Sequence, residues 1–538
     1  MNAPGPERQR RFPLVVAGLA VAGLLLVLAI GYWSLRPKTP AVHPVKPRAS
    51  AQAEGHERAA IPADIVHFCG NCHATPDPMT FPRQAWEEEV LQGYDFYKVS
   101  RRQDLQVPPV REVVAWYRNH APFELSVAAQ PAAEAVPPLR FRQTSVPLKA
   151  GQRFSAVAHL RWLPPAEGIP PGGPRAGQLL FCDMNSGDVG RLDVGDDLSV
   201  IALGQVANAA HVEPCDLDAD GQSDLLVSGL GSLLPGDHDL GCVVWLRGLP
   251  EADRWEPHVI AAGLGRVCDA RAADFDADGD ADIVVAEFGW HQTGRILWLE
   301  NRSLPAGPPT FEIHVLDQRH GTIHVSPADL NGDGHMDFVA LISQEYESVE
   351  AFLNQGGGTF RRETIFAAGD PSYGSSGIQL VDLDSDGDLD VLYTNGDTVD
   401  SYYLKPWHSI QWLENRGQYP FVPRVLTSMP GVYRAIVTDL DSDQDLDVLA
   451  CAFIPGPEAL GNHPGRPLDT LIWLEQTGDG DFQRHSLSTA LGHVSIEAGD
   501  FNGDGRTDFI TGSYFQSEAA PWMTVWWNTG PTTSPDVR

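Results

Sequence analysis

From Leu139 onward, short apolar runs alternate with polar turns in a pattern that repeats along the chain. A strand such as His211–Cys215 or Tyr433–Thr438 leads into an acidic turn, and an aliphatic run such as Ile283-Val284-Val285 or Val391-Leu392 leaves it. Next comes an aromatic strand: Val243-Val244-Trp245, Ile296-Leu297-Trp298, Ile410-Gln411-Trp412, Ile472-Trp473 or Val525-Trp526. A fourth run closes the unit, as in Glu312–Leu316 and Arg424–Thr427. The acidic turns begin at Asp216, Asp274, Asp329, Asp382, Asp439 and Asp500, with spacings of 58, 55, 53, 57 and 61 residues. Four strands in a unit of that length describe a propeller blade.

Six turns require at least six blades. The stretch Phe154–Gly204 adds four strand-like runs without an acidic turn: Phe154–Leu163, Gln178–Met184, Asp188–Val194 and Leu198–Leu203. The expectation is therefore a mainly β chain with a seven-bladed propeller over residues 139–530. Its last unit stops soon after Trp527 without a fourth strand, and Leu139–Val146 has the length and alternation to supply it. Such a closure would hide an exposed sheet edge.

The pattern upstream is different. Residues 12–33 form an uncharged run after Arg8, Arg10 and Arg11, long enough as a helix to cross a bilayer. It reads as an uncleaved transmembrane signal anchor, with residues 1–11 on the cytoplasmic side. A Pro/Ala-rich linker (34–60), a small all-α domain (61–125) and a second linker (126–138) follow, and residues 531–538 form a tail. Helices are expected at Pro82–Leu91, whose start carries Pro and acidic residues, and at Val110–His120, which presents Val113, Val114, Trp116 and Tyr117.

The formal net charge is −33, from 38 basic and 71 acidic residues. That balance excludes nucleic acid as a partner, because phosphate recognition needs clustered Lys and Arg. Twenty-five Asp residues lie within the six turns, so much of the charge is placed to hold cations. Asp or Asn at positions 1, 3 and 5, Gly at 6 and Asp at 9 gather hard oxygens around one point, a chemistry that suits Ca²⁺ better than Mg²⁺. Up to six Ca²⁺ ions are expected. The ligand sets are Asp216, Asp218, Asp220, Asp224; Asp274, Asp276, Asp278, Asp282; and Asp329, Asn331, Asp333, Asp337. The other three are Asp382, Asp384, Asp386, Asp390; Asp439, Asp441, Asp443, Asp447; and Asp500, Asn502, Asp504, Asp508. An EF-hand would need Glu at position 12, where Val227 and Val285 stand instead. The fifth turn carries Gln444 in place of Gly, and a left-handed non-Gly residue costs about 1–2 kcal/mol, so it should be the weakest site.

Cys69-Gly70-Asn71-Cys72-His73 has the spacing at which two thiols take the vinyl groups of one covalent c-type haem and the adjacent His becomes an axial iron ligand. No second CxxC is present to complete a zinc site. Haem attachment occurs on the translocated side of a membrane, so the bulk of the chain is expected on the periplasmic or extracellular side. The sixth iron ligand stays open between Met79, His67, His120 and none. The remaining cysteines, Cys182, Cys215, Cys242, Cys268 and Cys451, are odd in number, and at least one must stay unpaired in a monomer.

Val110–His120 resembles the final helix of small cytochromes c, although Val107-Pro108-Pro109 stands where that family commonly places Met before Pro. The acidic repeats resemble the FG-GAP/VCBS family, and the whole order resembles bacterial VCBS-repeat proteins with an N-terminal cytochrome c segment. The resemblance implies calcium-bound blades and a haem domain, and adds little on activity. The expected function is electron transfer by a membrane-anchored haem protein whose propeller docks a redox partner protein or small-molecule ligand. One alternative is an extracellular oxidoreductase or sugar-acting enzyme, with polar residues at strand ends (Glu287, Trp290, His291, Asn395, Asp397, Lys405, His408) or in the central channel (His211, His324, Arg434, His493). The other is calcium-dependent adhesion.

Overall fold

The computed structural model describes residues 60–127, 130–131, 137–165, 177–194, 198–250, 254–303, 309–399, 401–454, 467–478, 480–514 and 521–532, all within one compact unit spanning Pro47–Arg538. The expected anchor at 12–33, the 34–60 linker up to residue 59, and most of the tail fall outside these residues. Among the described residues no helix is long and apolar enough to cross a membrane.

Seven four-stranded antiparallel sheets form the propeller. Blade 1 is β2 (Val157–Leu163), β3 (Gln178–Asp183), β4 (Asp188–Asp193) and β5 (Ser199–Gln205). Blade 2 is β6 (Ala209–Cys215) to β9 (Trp255–Leu264), and blade 3 is β10 (Val267–Ala273) to β13 (Phe311–Asp317). Blades 4, 5 and 6 begin with β14 (Thr322–Ala328), β18 (Gly377–Val381) and β22 (Val432–Thr438). Blade 7 holds β26 (His493–Gly499), β27 (Asp508–Ser513), β28 (Met523–Pro531) and β1 (Leu139–Val146) in the order β1-β28-β27-β26, so β1 pairs with β28 and closes the ring as expected. Blade 1 starts later than Phe154, because residues 154–156 lie ahead of the ladder and Ala156 makes only an isolated bridge to Tyr514.

Burial follows position in the blade. Second strands such as β11 (Asp282–Glu287) and β15 (Asp337–Ile342) are buried along their whole length, because a neighbouring blade covers each sheet face. Their sequences are accordingly continuous aliphatic runs. The outer strand β13 contains no fully buried residue. The third-strand tryptophans Trp412 and Trp473 are almost wholly buried between blades.

Ahead of the propeller lie α1 (Ala63–Cys69), a 3₁₀ turn at Pro78–Thr80, α2 (Trp86–Val99) and α3 (Val110–His120). The third helix has the expected bounds. The second begins four residues later than Pro82 and runs eight past Leu91. Its first turn holds Glu87, Glu88 and Glu89, which favour a helix N-terminus, while residues 82–85 form a turn closed by Ala85 N–H donating to the Pro82 carbonyl at 2.9 Å.

Candidate functional site

The helical segment closes around aromatic rings. Trp86 stacks on Tyr117 with centroids 4.0 Å apart, and Phe68 packs against Tyr94 and Tyr97 at 4.9 and 5.1 Å. Two of the rings are tied down locally: Tyr94 donates to the Pro108 carbonyl at 2.8 Å and Trp86 to the Pro78 carbonyl at 3.0 Å. Cys69 ends α1 half-buried, whereas Cys72 is exposed. Burial, with the neighbouring Cys72, pushes the Cys69 thiol up to about 11. That direction is opposite to the lowered pKa of a reactive redox thiol.

His73 fits the role of an iron ligand. Its Nδ1 lies 2.7 Å from the Ala74 carbonyl oxygen, which selects the tautomer with hydrogen on Nδ1 and leaves the Nε2 lone pair free. Arg102 braces the same turn, donating to Asn71 Oδ1 at 2.6 Å and approaching Cys72 Sγ at 3.5 Å. None of the three alternative sixth ligands is arranged for iron. Met79 is 40% exposed, His67 is exposed, and His120 is held by the Trp116 carbonyl at 2.7 Å and stacked on the Trp116 ring.

This segment packs on one face of the propeller. The Asp77 N–H donates to Asp370 Oδ2 at 2.9 Å, Phe81 meets Tyr403 at 6.1 Å with the Lys405 ammonium 5.0 Å from its ring centre, and Phe96 lies 3.9 Å from His291. The propeller residues come from connections between second and third strands, or between one blade and the next. In antiparallel blades those connections lie on the face opposite the hairpins that join first and second strands.

All six acidic turns are first-to-second-strand hairpins. Within each, the position-1 carboxylate accepts backbone N–H groups from across the turn, as Asp216 does from Asp220 and Gly221, both at 3.1 Å. Position 9 opens the second strand and is buried. Asp224 accepts from Leu217 N–H at 3.0 Å and Gly248 N–H at 2.8 Å, and the same pair of bonds recurs at Asp282, Asp337, Asp390 and Asp447. A carboxylate retains lone pairs after two such bonds, so this residue can close the hairpin and still ligate. Burial foremost pushes Asp282 and Asp390 up to about 6, and Asp447 and Asp508 up to about 7. Ligand atoms of Asp216, Asp218 and Asp224, and of Asp274, Asp276 and Asp282, lie within 4.8 Å of one another. In these two turns positions 1, 3 and 9 converge, and a set of that kind suits a hard cation.

Two departures are visible. Asp218 and Asp220 both hold Arg247, at 2.6 and 3.1 Å, so a guanidinium competes with a cation in the first turn. Gln444 adopts φ +80°, in the region where Gly279 and Gly387 both have +96°, so the fifth turn keeps its shape against backbone strain.

The channel cluster differs from expectation in one member. His211, His324 and Arg434 stand five residues ahead of their turn aspartates, where each inner strand has a register shift. The same position in other blades holds His159, Asp269, Gly377 and Ser495. Asp269 is the hub: His211 Nδ1 lies 3.1 Å from it, Arg271 Nε 2.9 Å and His324 Nδ1 3.6 Å, while Arg271 also pairs with Glu213 at 2.6 Å. Burial pushes the Asp269 carboxyl up, but Arg271 and His211 outweigh it and hold the group well below the ordinary range. His493 is two residues out of this register. It sits at the start of β26 with both ring nitrogens buried and unpartnered, and it does not belong to the ring. Asp269 was findable by counting back from Asp274 instead of searching for histidines.

The strand-end residues proposed from sequence are mainly structural. Glu287 pairs with Arg295 at 2.6 Å and accepts from Gly265 N–H at 2.6 Å, and Asn395 binds the Ser409 backbone and hydroxyl and the Trp407 carbonyl. Lys405 is buried and donates to the Ser372 carbonyl. His408 accepts from Gly431 N–H at 3.1 Å. All seven cysteines are free thiols, so no disulfide links the blades.

The FG-GAP-like repeat family matches residues 274–340, 329–393 and 459–511, which take in turns of blades 3, 4, 5 and 7. Cartilage acidic protein 1 of Homo sapiens is 23% identical over 345 residues, covering 58% of this chain and 48% of that protein. Its Mus musculus counterpart is 30% identical over 183 residues, covering 32% of this chain and 25% of that protein. The chain thus spans about half or less of the relatives it matches. A chain from a crystal structure of BBS1N in complex with ARL6DN covers 71% of this chain and 98% of its own length, with 10% identity and a TM-score of 0.39, too low to argue from. The chain carries FG-GAP-like repeats folded into a seven-bladed β-propeller.

Proposed function

We propose that residues 61–125 carry one covalent c-type haem at Cys69, Cys72 and His73, and that the protein transfers electrons outside the cytoplasm, tethered by the apolar run at 12–33. The observation that carries this reading is the state of the CxxCH motif. Its histidine has Nδ1 committed to a carbonyl and Nε2 free, on a small aromatic-cored helical segment in which burial pushes the Cys69 thiol up. When bound, the haem supplies a one-electron couple; the chain contributes the ligand, the aromatic packing and a propeller face that shields one side. In this reading the six acidic turns bind Ca²⁺ and hold the opposite face rigid, and the propeller docks a redox partner or a small ligand.

Absorption spectroscopy of the full chain, matured in a host competent for cytochrome c assembly, tests the haem. A pyridine haemochrome with one haem per chain is expected, and a colourless protein overturns the reading. Reduction of the haem by an added alcohol or sugar would instead support the oxidoreductase alternative.

A further inference from the structure

The helical segment offers no second ligand for the iron, as Met79, His67 and His120 are each exposed or tied elsewhere. The propeller face that covers it does. His291, in the connection between β11 and β12 (Arg295–Asn301), packs its ring 3.9 Å from Phe96 of α2. Its Nδ1 lies 3.4 Å from Glu345 Oε1, while its Nε2 is buried and has no hydrogen-bond partner. Metal-ligating histidines commonly have one ring nitrogen held by a carboxylate and the other free. His73 has the same arrangement, with a carbonyl in place of the carboxylate.

Several features hold this arrangement in place. Asp237 Oδ1 accepts the N–H groups of His291, Gln292 and Thr293 at 2.8–3.1 Å, fixing the connection that carries the ring. Glu345 sits in the connection from β15 to β16 (Ser348–Asn354) at φ +62°, between Gln344 at +32° and Glu347 at +46°. Three non-glycine residues in that region within four positions store strain, which persists only where the surroundings demand it. The two Glu345 carboxylate oxygens lie 3.4 Å from His291 Nδ1 and 3.4 Å from His320 Nε2, so the carboxylate bridges the two rings. His73 is an electrostatic neighbour of this carboxylate, and Cys72 is one for the adjacent Tyr346.

We propose that His291 of the propeller is the second axial ligand of the haem, with Glu345 as its positioning residue. This rests on the haem reading and deepens it. The haem would be clamped between the helical segment and blades 3 and 4, its sixth coordination position filled from across the interface, which favours electron transfer over the binding of small ligands. Bis-histidine ligation accounts for the missing Met before the last helix without leaving the iron open.

The test uses the full chain after cytochrome c maturation. The pyridine haemochrome is read first, since absence of haem sinks the underlying reading and not this assignment. With haem present, wild type should be low-spin in both oxidation states by absorption and electron paramagnetic resonance. His291→Ala should convert it to predominantly high-spin, and added imidazole should restore the low-spin spectrum. Glu345→Gln should keep the low-spin state but raise the midpoint potential, because His291 loses its anionic partner. Met79→Leu, His67→Ala, His120→Ala and His320→Ala should leave the low-spin spectrum in place. The assignment is overturned if His291→Ala stays low-spin, if one of those four variants becomes high-spin instead, or if the haem-loaded protein holds one zinc ion per chain that His291→Ala releases. The last outcome is possible chemistry for this cluster, as His291, His320 and Glu345 place ligand atoms within 4.8 Å of one another.

Discussion

On one face of the propeller six hairpins repeat a single design, with a position-1 carboxylate bridging its own turn and a buried position-9 aspartate that in five of them closes the hairpin on two backbone N–H groups. On the opposite face the connections at 288–294, 343–347 and 395–408 differ in length and content, and they meet a segment of different secondary structure. The first face is built from contacts a few residues apart, so each copy can be understood alone. The second gathers Asp77 with Asp370, Phe81 with Tyr403 and Phe96 with His291 across roughly two to three hundred residues of chain. Repetition produces the scaffold, and departures from repetition produce the candidate site.

The sharpest way to break this comparison is to damage one face and observe the other. Cys69→Ser with Cys72→Ser should abolish covalent haem entirely while leaving any chelator-induced fall in melting temperature intact; a fall that vanishes with the haem would show the faces to be one cooperative site. Chelation comes next in size. Each turn that fills at a hundredfold excess of Ca²⁺ over its Kd stabilises by about 2.7 kcal/mol, so a chelator should lower the melting temperature measurably and leave the haem spectrum unchanged. A calorimetric scan indifferent to chelator would remove the cation role from the turn face.

The docking face should respond to pH. Burial pushes Glu347 up to about 7 from an ordinary 4.5, and it accepts from Ser375 N–H at 2.8 Å. A carboxyl raised in the folded state contributes its stability below the unfolded value and loses it as pH rises toward the folded value. Stability should therefore fall by about 3 kcal/mol between roughly pH 4.5 and 7 on this account, and Glu347→Gln should flatten that slope in denaturant titrations. An unchanged slope in the variant would reassign the effect to other groups. The smallest effect is on the turn face: Gln444→Gly should relieve the strained φ and stabilise by about 1 kcal/mol, and a loss of stability would mean the Gln side chain contributes more than its backbone costs.

Strand bounds were legible wherever the repeat repeats. Leu139–Val146 as the closing strand follows from a missing fourth strand and a matching alternation, and Val110–His120 from its aromatic stripe. The start of α2 was not, because Trp86 begins the helix by stacking on Tyr117, a partner 31 residues away that local preference does not reveal. The channel ring was half legible: histidines attracted attention, whereas Asp269, which holds them together, shows only when the repeats are aligned by strand register. Glu345 was invisible in sequence, since its importance comes from a strained backbone and from two histidines on other connections.

The sequence by itself determined the number of blades, the ring closure, the acidic turns with their carboxylate spacing, and the thiol–thiol–imidazole spacing. Each is written in residues close together or in a period that can be counted. Only the tertiary structure decided that the helical segment lies against the face away from those turns, and that His291, His320 and Glu345 meet beside Phe96 of that segment. Those contacts depend on how separate blades stack around an axis, and no spacing along a single chain encodes that.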